Sequence, residues 1–301
     1  MNLSSFCAKG FCLVLVACLA GCAMPGNRET AKNHPPMPPQ EFANIDIQHD
    51  RTGYRSSFPV NLSRTVPVLF IVGDSTVHNY DGGRVGWGDV IGNYFDTNKI
   101  IVENHALAGR SSRTFITQGW WNLLLKEARP GDFLLLQMGH NDAGALDDTN
   151  RARGSIPGTG DEQKEIYNPV THKQETVHTY GWYLRKYISD ARAHGIMPII
   201  CSPVPHVPKT EVKSGEVENF PYVGWSSEVA INQKVAFINL NQCVMSHYVG
   251  MTPAEIKEKY FTHWDNTHSS AGGAELNASC VVAGIKALPD CRLKNYLREN
   301  H

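Results

Sequence analysis

Four short stretches, far apart in the 301-residue chain, hold side chains that do chemistry together. "GDST" sets Ser75 directly after the apolar run "PVLFIV", and "NHALAGRSSR" sets Gly109 after "IIVE". "GHND" sets Asn141 after "DFLLLQM", and "WDNTHSSAGG" carries Asp265 and His268. A serine hydroxyl is a poor nucleophile unless a base takes its proton as it attacks. Histidine suits that task, because its ordinary pKa of about 6.5 lets it accept and return protons near neutrality. A carboxylate orients the ring and stabilises the imidazolium. Asp265 and His268, three apart, can present both side chains on one side of a loop or first helical turn. The attacked carbonyl becomes an oxyanion that needs donors already in place. Glycine permits close backbone approach for one N–H, and an asparagine carboxamide supplies another. The set is that of acyl transfer from an ester. Each member alone has a plainer explanation, since glycine, aspartate, serine and asparagine all form turns.

The elements that must position these residues supply the stronger evidence. Apolar runs at 68–72, 100–104, 132–138, 197–202 and 235–240 read as strands, and helical patterns lie between them. "GWGDVIGNYF" starts a helix near Gly86, and "WNLLLKEAR" stops at Pro130-Gly131. "TVHTYGWYLRKYISDARAHG" has apolar spacing at Val177, Tyr180, Leu184, Tyr187, Ile188 and Ala191 and ends at Gly195, while "SAGGAELNASCVVAGIKAL" is closed by Pro289. Strands alternating with helices imply an α/β fold whose central parallel sheet is covered on both faces. In such a sheet the loops bearing Ser75, Gly109, Asn141 and His268 emerge at one edge, where ligands bind. Residues 143–175 have no period and many glycines, prolines and charges; they read as a substrate-facing loop, or else a mobile insertion.

Several classes fall away. Lysine and arginine total 28 against 29 acidic residues, so there is no basic surplus for nucleic acid. No GxxxxGK[ST], HExxH or GxGxxG-after-strand pattern occurs, which leaves phosphate cradles and metalloprotease helices without support. Of the eight cysteines, none forms a CxxC metal pair. Cys201 sits in the apolar "PIICSP" as a buried core residue, and Cys280 and Cys291, close in sequence, are expected to form a disulfide in an oxidising compartment.

"GDST", "AGRSSRTF", "GHND" and "DNTH" resemble, in order, the conserved blocks of the SGNH (GDSL-type) hydrolases. "NHALAGRSSRTF", "MGHNDAG", "DNTHSSAGG" and "GWGDVIGNYF" look most like the rhamnogalacturonan acetylesterases within them, a likeness running from about residue 67 to 288. The resemblance implies a flavodoxin-like three-layer α/β/α sandwich with about five parallel strands. It implies Ser75 as nucleophile and backbone donor, Gly109 and Asn141 as further oxyanion donors, His268 as base and Asp265 as its orienting acid. It also implies no metal or organic cofactor, and an acetylated plant polysaccharide as partner. The longer loop after "GHND" and a lipid anchor depart from the fungal members.

Around this core the residues leave alternatives open. Asp74 supports the turn through hydrogen bonds to nearby N–H groups. Arg110 and Arg113 flank the oxyanion loop and either pair with a galacturonate carboxylate or form structural salt bridges. His140 either touches substrate or acts from behind the site through a hydrogen bond. His206, Tyr222 and Trp225 are either sugar-stacking subsites or a small satellite core. Trp264, beside Asp265, is a further subsite candidate.

The first residues lie outside the catalytic fold. The apolar run "FCLVLVACLA" is too short to span a bilayer as a stable helix. It ends in "LAGC", which resembles the lipobox of bacterial lipoproteins and implies a signal peptide over 1–21 and a lipid on Cys22; a plain secretory leader cut near Ala23 is the alternative. Membrane contact is then through that anchor alone, placing the protein outside the cytoplasm, at the outer membrane. A proline-rich tether follows over 22–40, then a lead-in segment over 41–66 that is able to pack as a strand, then one domain over 67–301. Three functions are consistent with these readings: an acetylesterase on rhamnogalacturonan, an esterase on acetylxylan, a uronate methyl ester or a lipid, and a surface glycan-binding lipoprotein without catalysis. Oligomeric state has no signature in the sequence.

Overall fold

In the computed structural model, the described residues are 64–79 and 81–299. The leader, the lipobox cysteine Cys22, the tether and all but the last residues of the 41–66 segment lie outside them. Residues 64–66 form no strand; Arg64 instead makes two 2.6 Å contacts to Asp132, whose carboxylate also accepts from the amide of Val68.

Five parallel strands make the central sheet: β1 (Val68–Gly73), β2 (Ile101–Asn104), β3 (Phe133–Gln137), β6 (Met197–Cys201) and β7 (Ala236–Ile238). Their order is β2-β1-β3-β6-β7, the flavodoxin-like arrangement. The chain winds outward from β1 to β2, then returns past it to β3. The loops after β1 and β3 therefore part company, opening a crevice between them.

Every residue of β1 and β3 is buried, as the continuous apolar runs require of a sheet covered on both sides. The period of two then sorts them between two cores. Leu69, Ile71, Phe133, Leu135 and Ile199 face Trp87 and Ile91 and the buried side of α8 (Ala271–Ala287). Val68, Phe70, Val72, Leu134 and Leu136 face α2 (Ser112–Thr117), α3 (Trp120–Glu127), α4 (Tyr180–Ala193) and α5 (Pro221–Gln233). Gly195, at φ +71°, ends α4 as expected.

The structure departs from the sequence reading in several elements. The "GWGDVIGNYF" helix is a four-residue α1 (Trp87–Val90) continued as a 3₁₀ turn over Ile91–Tyr94. The 143–175 segment is not structureless: it leads into an antiparallel hairpin, β4 (Gln163–Asn168) with β5 (Lys173–His178), so α4 begins only at Tyr180. Four helices went unread: α2, α5, α6 (Leu240–Ser246) and α7 (Pro253–Tyr260).

The expected disulfide is also corrected. Cys280 pairs with Cys243, at a Cα separation of 5.8 Å, and ties α8 to α6, whereas Cys291, like Cys201, is a buried free thiol. α8 runs on as a rigid rod for seven residues past Cys280, about 10 Å of rise, which carries Cys291 away from it. The exposed His247 ring lies within 4.8 Å of both sulfurs, but the disulfide withdraws both as thiolate ligands.

A non-reducing peptide map should join the peptides of Cys243 and Cys280 and leave Cys291 alkylatable only after unfolding. Closing a 37-residue separation is worth about 2–4 kcal/mol, so Cys243→Ser should lower the unfolding midpoint while Cys291→Ser should leave the bridge intact.

Candidate active site

The turn after β1 is shaped by its own aspartate. The Asp74 carbonyl accepts from the amides of Val77 and His78, and its Oδ1 accepts from the amide and hydroxyl of Thr76 at 2.9 and 2.7 Å. Ser75 is thereby held at the carboxyl end of β1, part-exposed at the crevice. The far side of the turn is fixed by Asp89, which accepts from the amides of Asn79 and Gly86, from the Asn104 carboxamide, and meets Nδ1 of His78 at 2.6 Å.

The segment between α7 and α8 brings in the base. Phe261 and Ser269 form an antiparallel bridge, the Thr262 amide donates to the His268 carbonyl, and the Val207 amide donates to that of Asn266. Within this closed loop Nε2 of His268 lies 2.7 Å from Oγ of Ser75, and its Nδ1 lies 3.0 Å from Oδ2 of Asp265. The other oxygen of Asp265 accepts from the amides of Thr267 and His268 at 2.8 and 2.6 Å. Burial works against charge on Asp265, but these bonds outweigh it, and its carboxyl lies below the ordinary aspartate range. It is a fixed anion behind the ring.

The donor loops close the site. Gly109 takes φ +78°, a conformation that favours glycine, just before α2. Asn141 is buried after β3 and donates one amide hydrogen to the Arg110 carbonyl at 2.8 Å, which orients the carboxamide and leaves its second hydrogen. Gly139, at φ +144°, lets the β3 loop pass close to Pro203 and Tyr222; a Cβ there would stand 2.8 Å from the Pro203 ring.

A row of buried polar groups runs beneath Ser75. Trp87 donates to Gln137, Gln137 to the hydroxyl of Thr76, and Thr76 to Asp74. Nδ1 of His140 lies 3.4 Å from Oδ2 of Asp74, and its Nε2 donates to the Val204 carbonyl at 3.0 Å. Because a carbonyl only accepts, the Nε2 proton is committed there, and a proton on Nδ1 makes the ring a cation facing Asp74. Burial opposes charge on both groups. The Asp74 carboxylate, the bond to Val204 and the nearby Glu218 nevertheless raise His140 above the ordinary histidine range, and His140 and Thr76 hold Asp74 below the aspartate range. Next door, burial pushes Asp142 up to about 6, although Ser112 and Ser155 donate to it.

The remaining candidates divide. Arg113 is fully buried: it pairs with Glu175 of β5 at 2.7 and 2.8 Å and donates to the carbonyls of Leu146 and Gly154, so it is a structural ion pair and not a substrate contact. His140, its side chain 2% exposed, works from behind the site. Tyr222 is buried among Tyr180, Phe220 and Trp225 as part of the core that faces α4 and α5, not a separate satellite, and His206 packs on His140 and Phe220 while meeting Glu218 at 2.7 Å. Trp264 alone stands out, 70% exposed beside Asp265, its indole nitrogen 3.7 Å from where a side chain on Gly82 would begin. Arg110 is part-exposed and donates to the Ala108 carbonyl. Sequence reasoning missed Asp89, Gln137 and Arg153, whose Nη1 donates to the Gly109 carbonyl at 3.2 Å. Their signals are single polar residues, meaningless until the fold brings them together.

A hydroxyl, an imidazole and a carboxylate in series, at the crevice of a flavodoxin-like sheet and beside a glycine loop and a carboxamide, are equipped to cleave esters. The chain belongs to the GDSL-like Lipase/Acylhydrolase family, which residues 71–276 match. It is 30% identical over 231 residues to the probable rhamnogalacturonan acetylesterase YesY of Bacillus subtilis, covering 73% of this chain and 93% of that one. It is 28% identical to the rhamnogalacturonan acetylesterase of Emericella nidulans, over 76% of this chain and 88% of that one. The crystal structure of YxiM from Bacillus subtilis shares the fold, with a TM-score of 0.59 at 23% identity, over 74% of this chain and 56% of that one. The chain is a carboxylic ester hydrolase.

The buried pair gives a pH signature. His140 is raised in the folded state, so its contribution is complete below the ordinary value of about 6.5 and is lost as pH rises through the raised value. Asp74 is lowered, so its contribution holds above about pH 4 and is lost as pH falls through the lowered value. His140→Gln, which cannot charge, should cost about 3–5 kcal/mol between these limits. In urea unfolding the gap to wild type should close at alkaline pH; a gap constant from pH 5 to 10 would show that His140 carries no charge.

Proposed function

We propose that this chain is a serine esterase that removes O-acetyl groups from plant cell-wall polysaccharide, rhamnogalacturonan above all, through an acetyl-Ser75 intermediate. The observation that carries it is the 2.7 Å contact between Ser75 Oγ and His268 Nε2, backed by Asp265. In the first step Oγ attacks the acetyl carbonyl as Nε2 takes its proton, and Asp265 stabilises the imidazolium. The oxyanion is met by the amides of Ser75 and Gly109 and the free amide hydrogen of Asn141. His268 returns the proton to the departing sugar oxygen. Water, deprotonated by the same nitrogen, then releases acetate and restores the serine.

The names of the two relatives at 30% and 28% identity support the substrate. So does Trp264, an exposed aromatic face beside the triad on which a sugar ring can stack. The "LAGC" motif supports a lipid on Cys22 and a place outside the cytoplasm, at the outer membrane, where polymeric glycans are met.

Ser75→Ala should abolish acetate release from acetylated pectin and from aryl acetates; turnover near the wild-type rate would overturn the mechanism. Asn141→Ala should lower kcat about 10²- to 10³-fold with the fold intact. Cys22→Ser should lose metabolic labelling by fatty acid, and retained label would place the lipid elsewhere.

A further inference from the structure

Arg153 reaches the oxyanion loop from outside it, through a guanidinium bond to the Gly109 carbonyl, and its position is built. Its neighbours are pinned on both sides. The Gly154 carbonyl accepts from buried Arg113, and the Ser155 amide and hydroxyl both donate to Asp142. A Cβ on Gly154 would overlap the Gly144 carbonyl, so the two strips of chain touch. On the other side Ala152 takes φ +41° and its amide donates to the Asp148 carbonyl. From this fixed backbone the Arg153 stem crosses Gly144, within 4.0 Å of where a side chain there would begin, and its Nη1 reaches the Gly109 carbonyl. The guanidinium thus bridges the loop after β3, which carries Asn141, and the loop after β2, which carries Gly109.

One bond to a neutral carbonyl uses one of five donors in a guanidinium. Burial and the adjacent Arg151 work against its charge, while Asp74, Asp142 and Asp148 favour it, and the net direction is downward. Two of those carboxylates are buried beneath the site and already engaged by His140, Thr76, Ser112 and Ser155. A half-buried cation at the rim, facing carboxylates committed elsewhere, is suited to an anion brought by the substrate.

We propose that Arg153 binds the carboxylate of a uronic acid residue in the acetylated glycan and so selects acidic over neutral acetyl esters. This rests on the polysaccharide-esterase reading above and supplies its specificity residue. Rhamnogalacturonan contains galacturonate, a sugar acid, so an acetyl ester on or beside it comes with an anion within a few ångströms of the reacting carbonyl. Fixing that anion beside Gly109 orients the ester toward Ser75, and the gain appears in binding. The sequence offered Arg110 and Arg113 for this task. The fold spends Arg113 on Glu175 and brings Arg153 to the loop in its place.

The test measures kcat/KM for acetate release from acetylated galacturonan and from acetylated xylan, for wild type, Arg153→Gln and Arg153→Lys. The expected result is a wild-type preference for the acidic polymer that falls about tenfold or more in Arg153→Gln, chiefly through KM, with part of it kept by Arg153→Lys. Raising NaCl to 0.5 M should shrink the wild-type preference toward that of Arg153→Gln. If Arg153→Gln lowers both substrates by one factor, the residue only props the Gly109 loop and the proposal fails, as it does if neither changes. A wild-type enzyme that prefers acetylxylan overturns the pectin reading itself, an outcome distinct from the other two.

Discussion

One contact sets the terms for everything else: the Ser75 hydroxyl meets the His268 ring across 193 residues of chain. Neither side chain can be moved to the other by local adjustment. The first is fixed by the end of a strand buried on both faces, the second by a loop closed between α7 and α8. α8 must therefore dock against the β1–β3 region with little freedom. Its packing on the Leu69, Ile71 and Phe133 face, and its disulfide to α6, are the means by which the sheet dictates where the imidazole stands.

Beneath that contact the protein places charge where cores usually exclude it. A buried ion pair adds little net stability against a well-packed apolar alternative, but losing one partner leaves an expensive lone charge. Here Asp74 is next to the nucleophile and His140 next to the carboxamide donor, so the pair couples the turn that bears the hydroxyl to the loop that bears Asn141. Glu218 and Val204 extend the coupling to the segment before α5, and through Val207 to the loop of Asp265. Three loops that approach the substrate from different strands thus share one polar foundation.

How much of this was legible in the sequence follows from what each signal depends on. Strands announce themselves as apolar runs, most plainly β1 and β3, buried on both faces, and five runs gave the parallel sheet although β2 and the short β7 at its edges are only part-buried. Turn chemistry is local, so the role of Asp74 could be read directly. The hairpin was hidden because its outer face is charged: in "QKEIYN" only Ile166 and Asn168 are buried. α5 was hidden because its apolar residues are spread around the helix, although Pro221 at its first turn is a start signal. Arg113 and Arg153 differ only once the chain is folded. Both are arginines near oxyanion-loop residues, one in sequence and one in space, and only the fold tells which faces the crevice. The Cys280 partner failed for the same reason, since closeness along the chain is not closeness across a helix.

The Arg113–Glu175 pair has a consequence for how the surface around the crevice can vary. It fastens both ends of the inserted segment, since Arg113 also grips Leu146 and Gly154 while Glu175 belongs to the returning strand. Beyond that fastening lies the tip at residues 169–172, with Val170 exposed in it and Tyr167 exposed just before it, joined to the clamp through Asn168, which accepts from the Val170 and Thr171 amides and donates to Glu175. Lengthening a loop costs free energy only logarithmically. The length and sequence of the tip can therefore change at little cost in stability, while the machinery behind the buckle keeps its geometry.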